Sequence, residues 1–181
     1  MSKPYRYCPV CGAYLVRRKI GSSDRFACTD AACDFVHWDN PVPVAAAVVE
    51  HEGKIVLARN RAWPATMFGL ITGFIERGED PEAAAAREIQ EELALQARVV
   101  TFIGVYSFAP QNQLIVGYHV DASGTIQLSE ELAEYKVFEP ERLRPWRFGT
   151  GLVLADWLHG RGLPVHFYDV APQQGRRLKR Y

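Results

Sequence analysis

The stretch from Gly73 to Leu95 constrains this chain more than any other. It runs Gly-Phe-Ile-Glu-Arg-Gly-Glu, then Asp-Pro-Glu-Ala-Ala-Ala-Ala, then Arg-Glu-Ile-Gln-Glu-Glu-Leu-Ala-Leu. A glycine-bearing loop leads into a helix, because Asp80 suits the N-cap and Pro81 the first helical position. At about 100° per residue, Glu88, Glu91 and Glu92 share one face. Ala86, Ile89 and Leu93 fall on another, which is expected to pack on a core. Acids at i, i+3 and i+4 repel one another by roughly a few tenths of a kcal/mol per pair. A divalent cation reverses the sign of that effect. Oxygen ligands crowded beside a loop with free carbonyls suit Mg²⁺ or Mn²⁺. Taken alone, Arg-Glu-x-x-Glu-Glu is more often a solvated helix face; the whole pattern from Gly73 to Leu95 is far more specific.

All four cysteines sit near the start of the chain, at Cys8, Cys11, Cys28 and Cys33. Cys8-Pro9-Val10-Cys11-Gly12 is a tight knuckle, and Cys28 and Cys33 form a looser second pair. Two close pairs at this separation predict a tetrahedral, structural Zn²⁺ site. Two disulfides are the competing reading, and they need an oxidising compartment. The first 40 residues form a segment too small to fold on a hydrophobic core alone, so zinc would supply the difference. His37, with four cysteines already present, is read as a ribbon surface residue.

A proline-bearing junction, His37-Trp38-Asp39-Asn40-Pro41-Val42-Pro43, marks the boundary between domains at 1–40 and 41–181. Residues 44–50 and 54–59 are β-prone runs joined by the hairpin signal His51-Glu52-Gly53. Residues 59–68 form a loop in which Trp63 either stacks on a base or caps the core, with the core favoured. A long strand is expected over 98–108, with a bulge at Gly104, and another over 112–121. A turn at 122–124 leads to 125–128. Residues 136–138 read as a short strand, 139–143 as a brief helix, and 148–159 as an apolar helix ended by Gly160 and Gly162. The tail at 175–181 is basic.

The spacing Gly73, five residues, Glu79, seven residues, Arg87-Glu88-Ile89-Gln90-Glu91-Glu92, then Leu95, resembles the Nudix box. That box reads Gly-x5-Glu-x7-Arg-Glu-aliphatic-x-Glu-Glu-x-Gly-aliphatic. Ala94 stands where the family has glycine; a left-handed backbone there costs alanine roughly 1 kcal/mol. The resemblance covers about 42–160 and implies an α/β fold, a Nudix α/β/α sandwich with a mixed sheet, preceded here by the small zinc-ribbon domain. It implies a hydrolase that cleaves nucleoside diphosphates linked to another group. Glu88, Glu91 and Glu92 would bind catalytic Mg²⁺ or Mn²⁺, with Arg87 holding Glu91. The Gly73 carbonyl would face a metal, and Glu79 would assist from outside the ligand set. Glu131 is the favoured further ligand or base, with Glu134 close behind.

A ribbon ahead of a Nudix domain resembles the NADH pyrophosphatase and ADP-ribose–FAD pyrophosphatase branch. Of the Ser-Gln-Pro-Trp-Pro-Phe-Pro array of NADH pyrophosphatases, residues 107–114 keep the serine and one proline. The implied substrate is therefore an ADP-containing dinucleotide or sugar nucleotide: ADP-ribose, FAD or NADH. Two alternatives stand beside it. One is a non-catalytic module sensing a nucleotide or binding nucleic acid; the other is a hydrolase of dinucleotide-capped RNA.

Lys and Arg number 21 and so do Asp and Glu, so no global charge draws the chain to nucleic acid or an anionic membrane. The resemblance implies a small-molecule nucleotide partner, and with the charges balanced a nucleic acid is not expected. No apolar run is long enough to span a bilayer, and a cytoplasmic protein is expected. A homodimer is the analogy that ribbon-bearing relatives offer.

Overall fold

The computed structural model describes residues 5–168; the basic tail at 175–181 lies outside them. Two compact units divide after Pro41, with Pro110–Asn112 grouped with the first.

In the first unit, β1 (Leu15–Ile20), β2 (Ser23–Cys28) and β3 (Val36–His37) form an antiparallel sheet in that order. Its core is small: Cys8, Leu15 and Cys28, with Phe26, Cys33 and Phe35 packed against them. Gly12 takes φ 78°, a left-handed turn that closes the first cysteine knuckle, and its amide donates to the Cys8 carbonyl.

The second unit is built around β4 (Val42–His51). Its run from Val44 to Val49 is buried throughout, as an apolar run covered on both faces should be. Successive side chains alternate between the faces. Ala45, Ala47 and Val49 face one core with α1 (Pro81–Leu93), and Ala46 and Val48 face a second core with α2 (Thr150–Gly160). The strand order is β7-β8-β4-β5-β9, with β7 at Gln96–Phe108, β8 at Gln113–Ser123, β5 at Lys54–Asn60 and β9 at Leu132–Phe138. β8 runs parallel to β4, and the other strand pairings of this sheet among the described residues are antiparallel. The result is the mixed sheet between helices that the sequence implied. No helix among the described residues is long and apolar enough to cross a membrane.

One edge of β4 is shared. β6 (Ile71–Phe74) pairs with Val44–Ala47, and β5 takes over at Val49–His51. The β4–β5 hairpin turns on Glu52 and Gly53, at φ 52° and 75°. The bulge expected at Gly104 is present as a register shift between Phe102 and Gly104.

One local expectation needs correction, and two details add to the reading. The buried stripe of α1 is Ala84, Ala85, Ile89 and Leu93, and Ala86 sits half-buried on the flank. The core side is set by the i, i+4, i+8 series from Ala85, which turns Ala86 toward the rim. Asp80 occupies the N-cap position, yet its side chain makes no capping bond; only its carbonyl accepts the Ala84 amide, at 3.0 Å. Residues 125–128 belong to no strand. Instead the Gln127 and Ser129 amides donate to the Leu93 and Glu92 carbonyls, at 2.9 and 3.1 Å. They satisfy acceptors that a helix C-terminus leaves open. Ile126 and Leu128 pack on the core beneath.

Candidate functional site

The loop after β6 and the last two turns of α1 carry the acids. Glu88 points across to Gly73, so closely that a Cβ on Gly73 would overlap its carboxylate. Any side chain at this position would have to displace the Glu88 carboxylate, because β6 brings its backbone directly under the helix. Gly73 itself pairs with Ala45 of β4, which fixes it to the centre of the sheet.

Arg87 organises the loop. Its Nε and Nη2 donate to the two oxygens of Glu79 at 2.8 and 3.1 Å, and Nη2 also reaches the Phe74 carbonyl at 3.0 Å. Its Nη1 donates to Glu88 Oε1 at 2.7 Å and Glu91 Oε2 at 3.0 Å. Glu79 further accepts the Glu76 amide at 2.9 Å. The guanidinium thus ties the glycine loop to the helix and holds one oxygen of each of two acids. Its hydrogen bonds hold the Glu79 carboxyl below the usual carboxylate range.

The remaining acids are held differently. Burial pushes the Glu92 carboxyl up to about 8, and the charges of Glu88, Glu131 and Glu91 add to the effect. Burial also raises Glu88, against the pull of Arg87. Glu131 enters from the segment capping α1, and its backbone is fixed from the other side. The Arg61 amide donates to the Glu131 carbonyl at 2.9 Å, and Arg61 Nε to the Glu130 carbonyl at 2.6 Å. Glu134, the second choice, is turned away to Arg59 Nη2 at 3.5 Å, its partner across the β5–β9 pair. Glu92 and Glu131 line a cleft of about 120 Å³.

Among the described residues, only the four cysteines bring three or more ligand atoms within 4.8 Å of one another. The acids of α1 face the same region without closing into such a cage, as mutually repelling carboxylates do with Arg87 holding two of them. The donor set is still one a hard divalent ion fits: carboxylate oxygens only, on a rigid helix, one of them costly to ionise without a counter-charge. The cysteines fit zinc on geometry. Four thiolates at roughly 2.3 Å from a tetrahedral Zn²⁺ lie about 3.8 Å apart. Cys8 and Cys33 Sγ stand 3.7 Å apart and Cys11 and Cys28 Sγ 3.4 Å, with no sulfur bonded to another.

Asn60, Trp63 and Thr72 also line the cleft. Trp63 was read as stacking on a base or capping the core, with the core favoured; it is half-buried and lines the cleft, its ring edge 3.0 Å from where a Gly69 Cβ would be. Asn60 and Thr72 were not singled out. Thr72 directly precedes Gly73 on β6, and that adjacency is the signal that would have found it. A larger depression of about 250 Å³ beside His51 and Arg98 holds none of these acids.

An α/β/α sandwich with acids gathered where a glycine strand passes under a helix defines a class of protein with a carboxylate-lined cleft at the end of its central helix. The NUDIX domain family model matches residues 39–157, and the chain belongs to that family. It is similar to the NAD-capped RNA hydrolase NudC of Mycobacterium tuberculosis, 36% identical over 118 residues, 62% of this chain and 36% of that protein. The protein of the same name from Vibrio parahaemolyticus is 27% identical over 121 residues, 67% of this chain and 45% of that protein. The chain spans between about a third and about a half of the length of these curated relatives. A NUDIX hydrolase from Nitrosomonas europaea shares the fold, with a TM-score of 0.71 at 23% identity, covering 91% of this chain and 97% of that one.

Proposed function

We propose that this protein is a metal-dependent hydrolase of the diphosphate bond in a nucleoside diphosphate linked to another group. The observation carrying this reading is Glu92. Its carboxyl is pushed up to about 8 by burial and by three neighbouring acids at the end of a cleft, and a bound cation is what relieves that arrangement. Glu88, Glu91 and Glu92 would hold Mg²⁺ or Mn²⁺, with the Gly73 carbonyl and Glu131 as further ligands. When bound, such ions neutralise the diphosphate, lower the pKa of an attacking water and stabilise the departing phosphate.

The chain's own residues supply the rest. Arg87 fixes Glu88 and Glu91, and Glu79 keeps Arg87 in place. Glu131, tethered through Arg61, takes the proton from water as its oxygen bonds to phosphorus and the bridging P–O bond breaks. The products are a nucleoside monophosphate and the phosphorylated second group. An ADP-containing dinucleotide or sugar nucleotide is the proposed substrate class. RNA capped with such a dinucleotide is a second substrate, favoured by the likeness to proteins named NAD-capped RNA hydrolase. The cysteines would hold structural Zn²⁺, and the proposed ribbon and hydrolase domains meet near residue 41. A homodimer is proposed by analogy with ribbon-bearing relatives, and sizing in solution would read it.

The test is Mg²⁺-dependent turnover of ADP-ribose, NADH, FAD and an NAD-capped oligoribonucleotide, with the products identified. Glu91→Gln should abolish turnover and leave the thermal transition in place. Full Mg²⁺-dependent turnover by that variant would overturn the ligand assignment.

A further inference from the structure

We propose that Trp63 is the platform on which a heteroaromatic ring of the substrate stacks, in the same cleft as Glu92 and Glu131. This rests on the hydrolase reading and names what the cleft recognises.

Three observations converge on it. First, the position of Trp63 is set rather than accidental. Its ring edge lies against Gly69, where an added Cβ would come within 3.0 Å, and its amide donates to the Asn60 carbonyl at 2.9 Å. The Gly69 amide and carbonyl are in turn bonded to Ala58, so the support under the ring belongs to the sheet.

Second, the loop that carries Trp63 is fastened to the loop that carries Glu131 through the two hydrogen bonds of Arg61. The backbones of the two loops are therefore tied together beside the cleft. A surface tryptophan serving only to cover the core needs no such fastening.

Third, the lining suits a flat, partly polar ligand. Ala58, Leu70 and Leu132 supply apolar surface. Asn60 spends Oδ1 on the Ala62 amide, which leaves Nδ2 without a protein partner among the described residues. Apolar walls with a few directed polar groups are what nucleotide-sized ligands select.

The experiment compares AMP with ribose 5-phosphate, which keeps the sugar and phosphate and lacks the ring. Calorimetry with Mg²⁺ should show the unaltered protein binding AMP at least about tenfold tighter. Trp63→Ala should erase that preference by weakening AMP, with ribose 5-phosphate unchanged within about twofold. Trp63→Phe should retain most of it, which separates loss of the ring from loss of the fold. On ADP-ribose, Trp63→Ala should raise KM about tenfold or more while kcat stays within about threefold. Equal weakening of both ligands, or AMP affinity unchanged in Trp63→Ala, overturns the platform and leaves the hydrolase reading standing. If the unaltered protein cleaves no diphosphate with Mg²⁺, the hydrolase reading fails, and the AMP comparison still decides whether the ring binds at Trp63.

Discussion

The carboxylate of Glu88 rests on the Cα of Gly73, with no space between them for a methyl group. Gly73→Ala must therefore push Glu88 off its position, and Glu88 shares Arg87 Nη1 with Glu91. A displacement of roughly 1 Å at a positioned catalytic group costs on the order of 10²-fold in rate. The expected outcome is a loss of that size in kcat with folding retained. A kcat within about threefold of the unaltered protein would show that Glu88 has no positional role.

Arg87 makes five hydrogen bonds to four partners, and lysine can reproduce neither the fork on Glu79 nor the reach to Phe74. Arg87→Lys keeps the charge and loses the geometry. Residues that orient metal ligands typically cost about 10- to 100-fold in metal affinity or activity when changed. The expected signature is a higher Mg²⁺ concentration for half-maximal rate, with a smaller change in rate at saturating metal. Magnesium titration of the two proteins decides it.

Much of this was legible in the sequence, and the reasons differ by residue. The helix, its acids and Gly73 follow from fixed spacing, because a helix converts intervals of three and four into one face. Val44 to Val49 announces a strand covered on both sides, since no alternation of polar residues interrupts it. The role of Trp63 was left between two readings because an aromatic residue in a loop has no periodicity to say which way it faces. Glu131 and Glu134 could not be separated by spacing alone. What differs between them is their surroundings: Arg59 pairs with Glu134 across β5 and β9, and 127–129 dock on the end of α1. Those are contacts between distant parts of the chain, and a single sequence carries no periodic mark of them.

Ala94 closes α1 in the left-handed region, at φ 57° and ψ 21°. Its Cβ is the source of strain there, and its amide still donates to the Gln90 carbonyl at 3.0 Å. Ala94→Gly should stabilise the protein by about 1 kcal/mol, reduced by the greater freedom of glycine in the unfolded chain. Urea denaturation should show a higher midpoint with an unchanged slope. A lower midpoint would mean that the Cβ contributes packing that outweighs the strain.

The sulfur cluster gives a prediction independent of activity. Cys11→Ser removes the sulfur nearest Cys28 and leaves three thiolates, too few to close a structural zinc site. Zinc measured by atomic emission should fall from one equivalent to a small fraction. Protease cleavage should then concentrate in the first 40 residues, because a segment with so small a core depends on the metal to stay folded. Unchanged zinc content in the purified variant would remove the assignment.

Glu92 makes the metal-free protein sensitive to pH in a direction opposite to that of an ordinary surface carboxylate. Its folded value is pushed up to about 8, above the usual range near 4.5, chiefly by burial and then by Glu88, Glu131 and Glu91. Below about 4.5 both folded and unfolded chains hold the proton, and Glu92 has no effect on the balance. Between there and about 8 the folded chain holds a proton that the unfolded chain has released, so stability falls as pH rises. Glu88, also raised, acts in the same sense. Glu79, lowered by Arg87, acts oppositely, and its contribution disappears only as the solution becomes acid. Chelated protein should therefore melt at a lower temperature at pH 8 than at pH 6. Adding Mg²⁺ should recover more at pH 8, because the ion takes the place of the proton. Glu92→Gln should flatten the chelated profile across that window. A profile as steep in the variant as in the parent would assign the pH response to other groups and leave Glu92 as an ordinary acid.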